Sequence, residues 1–379
     1  MKPVRILHTS DVHIGARFEF LGARGEEQRE AVRAAFGRIT QLCKSQGYDL
    51  LLIAGDLFES AYQVSERDLA FTIGALSETG GCRTVILPGS HDFWAPGTVY
   101  ERERDRFEAS GAVHLVTPER TSIVFDDLSL AVHARALTTP AAPELSVADL
   151  EPEGFCSWNI LMVHGSVEGA AGINEPGDNR IDLKDLRKGF DYVALGHWHS
   201  YLVVRDSDPP VLYSGAPELL ARDQRGSGAA VSVTLSDGRA VYERVPVGIR
   251  RIERHRLDCT GLDATEGLVR AVLAGVPEDP DAVLELSFTG VIGVEAAIDP
   301  ALAVDELESH YFSVRLAGPG PDRAISREDL ESVPEASVAG RFVRDLTARI
   351  EGAGEGEREE LEEALQIGYQ LFMGRNPLG

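Results

Sequence analysis

Val4-Arg5-Ile6-Leu7-His8-Thr9-Ser10-Asp11-Val12-His13 is an apolar run of strand length that ends on an Asp-x-His pair. The same arrangement returns four times along the chain. Asp49–Ala54 closes on Gly55-Asp56, and Arg83–Leu87 on Pro88-Gly89-Ser90-His91-Asp92. Leu161-Met162-Val163 closes on His164-Gly165, and Tyr192–Leu195 on Gly196-His197-Trp198-His199. Short apolar runs closed by turn residues read as buried strands. The pattern therefore delivers imidazoles and carboxylates to strand ends, where a fold can gather them.

Between the first runs lie helical spacings. From Glu26 to Lys44, residues Ala31, Ala34, Ala35, Ile39 and Leu42 can share one face, and Ser65-Glu66-Arg67-Asp68 opens a second helix reaching about Ser77. Strand–helix alternation predicts βαβ units and a largely parallel sheet covered on both faces. Further on, Ser122–Phe125, Leu128–His133, Ile160–Val163, Tyr192–Leu195, Tyr201–Val204, Val211–Tyr213, Ala229–Leu235 and Ala240–Val245 are short strands joined by brief turns. They predict a second, more antiparallel sheet stacked on the first.

At 379 residues the chain exceeds one ordinary core. Three regions are expected: residues 1–247 carrying the motifs, a small α+β unit over 248–320, and a linker with C-terminal helices over 321–379. The linker is marked by Ala317-Gly318-Pro319-Gly320-Pro321; helices are expected at Val338–Ile350 and Glu357–Met373. The N-terminus lacks a signal-peptide apolar region, and no apolar stretch approaches the roughly 20 residues of a membrane helix. Cys43, Cys82, Cys156 and Cys259 are scattered and read as reduced buried thiols of a cytoplasmic protein. The net charge of −24 argues against tight independent binding to a polyanion. Bound divalent cations or a basic partner would offset it locally.

Asp and His are hard-to-borderline ligands suited to Mn, Fe, Co or Zn. Asp11 and His13 flank one residue, as do His197 and His199, so each pair can face one crevice. Asp56 has two oxygens with which to bridge two ions, and His164 completes the set. In-line displacement at phosphorus is served by such a pair of ions. His91 would then protonate a leaving alkoxide, and Asp92 beside it would orient the ring or raise its pKa. Each motif alone has a plainer reading, Gly-Asp after a strand being mostly turn chemistry. All five in this order are harder to explain so.

The order of motifs resembles that of the calcineurin-like metallophosphoesterases. Ile6 to Gly15 looks closer still to the SbcD/Mre11 group of DNA repair nucleases, as do Tyr213-Ser214-Gly215-Ala216-Pro217 and Arg225-Gly226. The resemblance implies an α/β fold of two stacked mixed β-sheets flanked by helices, with a small capping domain and a C-terminal helical segment. It implies an exonuclease or endonuclease acting on DNA with two divalent ions, Mn foremost and Mg among the alternatives. Asp11, His13, Asp56 and His199 would hold one ion, and Asp56, His164 and His197 the other. It further implies a homodimer and an SbcC/Rad50-like coiled-coil ATPase partner. The group carries Gly-Asn-His-Asp where this chain has Gly89-Ser90-His91-Asp92, so the second ion is expected to be held more loosely. Two rival readings remain: a phosphoesterase of small nucleotides or phosphoproteins, and a non-catalytic adaptor with a weakened second site.

Arg250, Arg251, Arg254 and Arg256 are candidate contacts to a phosphate backbone, or a solvated face. His8 is expected to support its strand end; His114, His133, His255 and His310 lack ligand spacing. Trp94 and Trp198 are read as packing residues. The helix carrying Leu361, Leu365, Ile367, Leu371 and Phe372 would fold onto the protein itself or dock on a partner.

Overall fold

The computed structural model describes residues 2–142, 145–170, 179–186, 189–207, 209–221, 224, 226–293, 296–318, 320–323, 330, 333–372 and 374. Arg225, Pro319 and Met373, named above, lie outside them. The chain divides into two compact units, Met1–Arg251 and Ile252–Gly379.

The strands of the first unit are β1 (Val4–Thr9), β2 (Leu50–Ala54), β3 (Arg83–Leu87), β4 (Val113–Leu115), β5 (Ser122–Phe125), β6 (Leu130–Ala134) and β7 (Trp158–His164). They continue with β8 (Ser166–Val167), β9 (Arg180–Ile181), β10 (Tyr192–Gly196), β11 (Leu202–Arg205), β12 (Val211–Tyr213), β13 (Ala229–Ser236) and β14 (Arg239–Pro246). One six-stranded sheet has the order β14-β13-β1-β2-β3-β4, the other β11-β12-β10-β7-β6-β5.

The first sheet is parallel from β1 to β4 and gains an antiparallel edge from β13 and β14. Those two strands, expected in the second sheet, join the first. The second sheet is mixed: β6, β7, β10 and β12 run parallel, with antiparallel strands only at its edges. Apolar strands carry no mark of which neighbour they pair with, which is why this exchange was not readable.

Between the sheets, alternate residues interlock. Ile6, Leu52, Ala54, Val85 and Leu87 of one face meet Val132, Ile160, Met162, Ala194 and Leu212 of the other in one buried cluster. Period-two alternation sends the intervening Leu7, Leu51, Ile53 and Ile86 to the opposite face, and they are equally buried. Such two-sided burial is what unbroken apolar runs encode. Helix α1 (Gly25–Gln46) buries Ala31, Val32, Ala35, Phe36, Ile39 and Cys43, while Ala34 is exposed and Leu42 only half-buried. The face is turned by about one residue from the expected one. Helix α2 (Glu66–Ser77) starts at Ser65, whose hydroxyl accepts from the Asp68 amide.

The outer face of the second sheet is covered by Leu137, Leu145, Val147, Leu150, Ile181 and Phe190. Trp94 packs against the inter-sheet core and Trp198 against this outer one.

The second unit holds a three-stranded sheet of Arg251–Asp258, Asp279–Thr289 and Tyr311–Leu316, with helices Thr265–Gly275 and Pro300–Leu307. The latter was not read from the sequence although Asp299-Pro300 marks its start: Asp299 accepts from the amides of Ala301 and Leu302. Helices Val338–Gly352 and Glu355–Phe372 pack on each other through Val343, Leu346, Leu361 and Leu365. Of the expected stripe, Leu361 and Leu365 are thus used within the pair, while Leu371 and Phe372 remain exposed. Of the cysteines, Cys43, Cys82 and Cys259 are buried free thiols; Cys156 is only half-buried.

Candidate metal centre

Five strand ends meet where the two sheets face each other. β1, β2 and β3 of one sheet end in the loops bearing Asp11, His13, Asp56 and His91. β7 and β10 of the other end at His164 and just before His197. The first two loops are stitched together: the Asp11 amide donates to Gly55 O at 3.0 Å and the His13 amide to Asp56 O at 3.0 Å.

The backbone there is unusual. Asp11, His13 and Asp56 have φ of 53°, 53° and 52°, and His197 has φ of 100°. Left-handed conformations in non-glycine residues each cost about 1–3 kcal/mol and persist only where the surroundings over-determine them. Four such residues in one cleft turn their side chains inward against local preference. The His197 amide is fixed by the Asp11 carboxylate, at 2.9 and 3.1 Å. Two glycines make room. A Cβ on Gly55, whose φ is +93°, would collide with the His164 ring, and one on Gly196 with the Ala54 carbonyl.

The side chains form overlapping groups: Asp11, His13 and His199; His13, Asp56 and His91; Asp56, His164 and His197. In each, the donor atoms lie within 4.8 Å of one another. His13 Nε2 is 3.2 Å from His199 Nε2 and 3.7 Å from Asp56 Oδ2. His164 Nε2 is 3.2 Å from the same Asp56 oxygen. Two donors each about 2.1 Å from one ion stand roughly 3.0–3.4 Å apart, so these spacings fit shared ligation. The outer nitrogens are already committed: His164 Nδ1 donates to Ala54 O at 2.8 Å, and His13 Nδ1 to Glu59 Oε2 at 2.7 Å. That leaves each Nε2 lone pair facing the cleft, the second-sphere arrangement of metal-ligating histidines.

The carboxylates hold protons on two of these imidazoles, which a divalent cation would displace on binding. Burial works against charge on His164, but Asp56 beside it raises its pKa to about 9. Burial opposes charge on His13 too, yet the Glu59 hydrogen bond and the Asp56 and Asp11 carboxylates lift it above the ordinary value. Burial and the neighbouring His13 push His199 down to about 4. For Asp56, burial is outweighed by His164, His13 and His91, and its carboxyl sits well below the usual range. The cleft is built to keep Asp56 ionised among imidazoles, and its donor set fits divalent cations.

Ser90 points into the second group. Its hydroxyl donates to Asp56 Oδ2 at 3.1 Å and lies 3.3 Å from His164 Nε2. His91 stands at the mouth with its side chain 45% exposed, its amide donating to Asp56 Oδ1 at 2.8 Å and its Nδ1 to Glu59 O at 3.1 Å.

Asp92 differs from its expected role. It is fully buried, and its carboxylate accepts from the amides of Asp56, Leu57, Phe58 and Gly89 and from Tyr100 Oη at 2.6 Å. Its oxygens fasten the Asp56 loop to the His91 loop, and His91's ring is held by Glu59 instead. Burial and the nearby Asp56 charge raise its pKa. Glu59 was missed by sequence reasoning. It lies three residues past Asp56 in an irregular loop, where spacing predicts no facing.

His8 is buried with Nδ1 2.8 Å from Tyr192 Oη, and burial lowers its pKa to about 3, as suits a neutral structural imidazole. His114 contacts Arg120, His133 meets Asn159, and His310 meets Glu278. Among the described residues none of these, nor His255, joins a metal-ligating group. Arg251 and Arg254 fall on opposite faces of one strand, Arg254 facing Glu285 at 3.6 Å, while the Arg250 amide donates to Glu218.

Two cavities flank His91. One, of about 400 Å³, is bordered by Arg17, Phe18, Phe20 and His199; the other, of about 370 Å³, by Tyr62, Ser90, Phe93 and His197.

Compared with known proteins, residues 4–201 match the calcineurin-like phosphoesterase family. The DNA double-strand break repair protein Mre11 of Methanopyrus kandleri is 28% identical over 251 residues, covering 59% of this chain and 52% of that protein. Its namesake in Aeropyrum pernix is 25% identical over 326 residues, covering 80% and 76%. The uncharacterized metallophosphoesterase YhaO of Bacillus subtilis is 24% identical over 251 residues, covering 62% and 59%. This chain spans about half the length of the first of these relatives. A crystal structure of TT1561 from Thermus thermophilus superposes with a TM-score of 0.43 at 18% identity, over 64% of this chain and 98% of that one.

Proposed function

We propose that this chain, which belongs to the calcineurin-like phosphoesterase family, is a two-metal phosphodiesterase that cuts DNA in the manner of the SbcD/Mre11 nucleases. The observation that carries the reading is the set of three overlapping donor groups, two of which share Asp56, with the exposed His91 imidazole at the mouth. Asp11, His13, Asp56 and His199 would hold one ion, and Asp56, His164 and His197, with Ser90 alongside, the other. When bound, two divalent ions such as Mn²⁺ supply Lewis-acid stabilisation of the phosphoryl oxygens and a nucleophile drawn from water.

The remaining work falls to the protein. His91, anchored through its amide and Nδ1, presents Nε2 to the cleft and gives a proton to the departing alkoxide. Glu59 and the Ala54 carbonyl keep His13 and His164 in the tautomer that offers Nε2. Asp92 holds the Asp56 and His91 loops in register. The relatives' printed names support DNA as substrate; an SbcC/Rad50-like ATPase, a homodimer and a cytoplasmic setting belong to the same proposal. Arg250, Arg251 and Arg254 remain candidate phosphate contacts within it.

One observation favours a smaller substrate, a nucleotide or a phosphoprotein: the net charge of −24 repels a polyanion. Hydrolysis in Mn²⁺ of linear DNA, a chromogenic diester and a chromogenic monoester separates the two, with His91→Ala as control. DNA and diester cleavage lost in the variant supports the nuclease. Monoester cleavage alone replaces it with the rival.

A further inference from the structure

The cavity on the Ser90 and His197 side has an aromatic wall that the chemistry above does not use. Tyr62 is 54% exposed, and its ring stands edge-to-face against Phe93, with centroids 5.8 Å apart and an interplanar angle of 78°. Phe93 is itself packed against the core under the second sheet, so the pair has a fixed base and an open face. Its backbone is set by the Ser60 hydroxyl, which accepts from the amides of Tyr62 and Gln63 at 3.3 and 3.1 Å. Tyr62, Phe93, Ser90, His91 and His197 border the same space of about 370 Å³. A large aromatic ring, exposed and with no polar partner among the described residues, beside a reacting centre, is suited to a planar apolar face of the substrate.

We infer that Tyr62, backed by Phe93, is a stacking platform for one unpaired nucleobase of the nucleotide next to the reacting phosphate. The inference rests on the phosphodiesterase reading and names the feature of the substrate that the Ser90 side selects. A paired base offers its face to its neighbours in the duplex, so the platform favours single-stranded or frayed nucleic acid. Base–aromatic stacking is sequence-tolerant, because every base has a π-face. Being uncharged, it also adds binding that the chain's negative field does not oppose.

The test uses the full-length protein in Mn²⁺ and a single-stranded oligonucleotide with one hydrolysable phosphodiester among methylphosphonate linkages. Versions carry an abasic residue on one or the other side of that linkage. For the wild type, removing the base on one side lowers kcat/KM about tenfold. Tyr62→Ala lowers it by a similar factor on the intact oligonucleotide and shows no further loss on that abasic one, while Tyr62→Phe behaves as wild type. Losses that multiply, no effect of Tyr62→Ala, or a loss absorbed by Phe20→Ala instead would overturn the platform and leave the phosphodiesterase standing. A wild type that cleaves no version would overturn the phosphodiesterase and the platform with it.

Discussion

His91 and Ser90 are adjacent, yet they act on different things, and substitutions separate them. His91 is exposed at the mouth, and its ring is tethered by a carbonyl and not by a ligand of the buried pair. His91→Ala should lower kcat on DNA by about 10²–10⁴-fold while Mn²⁺ still binds, which calorimetry alongside the assay will check. Ser90 lies against Asp56 and His164 through its short hydroxyl. Ser90→Asn should tighten the weaker of two Mn²⁺ sites by about tenfold, read in the same titration. At this scale the residues that line the cleft were legible, because Asp-x-His, Gly-Asp and Gly-His-x-His are local patterns. Glu59 and the true partners of Asp92 were not. Glu59, in an irregular loop, carries no period, and most of the amides that Asp92 accepts from lie more than thirty residues away.

Elements converge on the cleft because glycines let two sheets and a ring approach closely. Gly196 ends β10 against the Ala54 carbonyl of β2, across the inter-sheet core. Gly196→Ala inserts a methyl group with no side chain to yield, since the obstacle is backbone. It should cost about 1–3 kcal/mol of stability, the range for overpacking. A fall of roughly 2–4 °C in melting temperature per kcal/mol is then expected by calorimetry. Strands β3, β5 and β12 were read to the residue from their apolar runs, as was the capped start of α2. Pairing was the blind spot. β13 and β14 sit on the edge of the first sheet, and their sequence records only that they alternate and turn at Asp237-Gly238. The arginines of Arg251–Asp258 looked like one basic stretch, and strand geometry then divided them between two faces.

For the whole molecule, charge and metal decide behaviour together. With −24 overall, the chain alone should not lose DNA affinity steeply as salt rises. From 50 to 200 mM salt its kcat/KM on single-stranded DNA should change by less than about tenfold, against about 10³–10⁵ for proteins neutralising 6–10 phosphates. Composition leads one to expect three regions, 1–247, 248–320 and 321–379, whereas the chain divides into two compact units, Met1–Arg251 and Ile252–Gly379. What no bulk property could announce is that six side chains from four strand ends meet in one cleft, with His91 brought to it from a fifth. That meeting is tested most directly by anomalous diffraction at the manganese edge from crystals soaked in Mn²⁺. Two peaks are predicted, both within ligating distance of Asp56, one also reached by Asp11, His13 and His199 and the other by His164 and His197. A cleft without peaks, or manganese bound only elsewhere, would contradict the account.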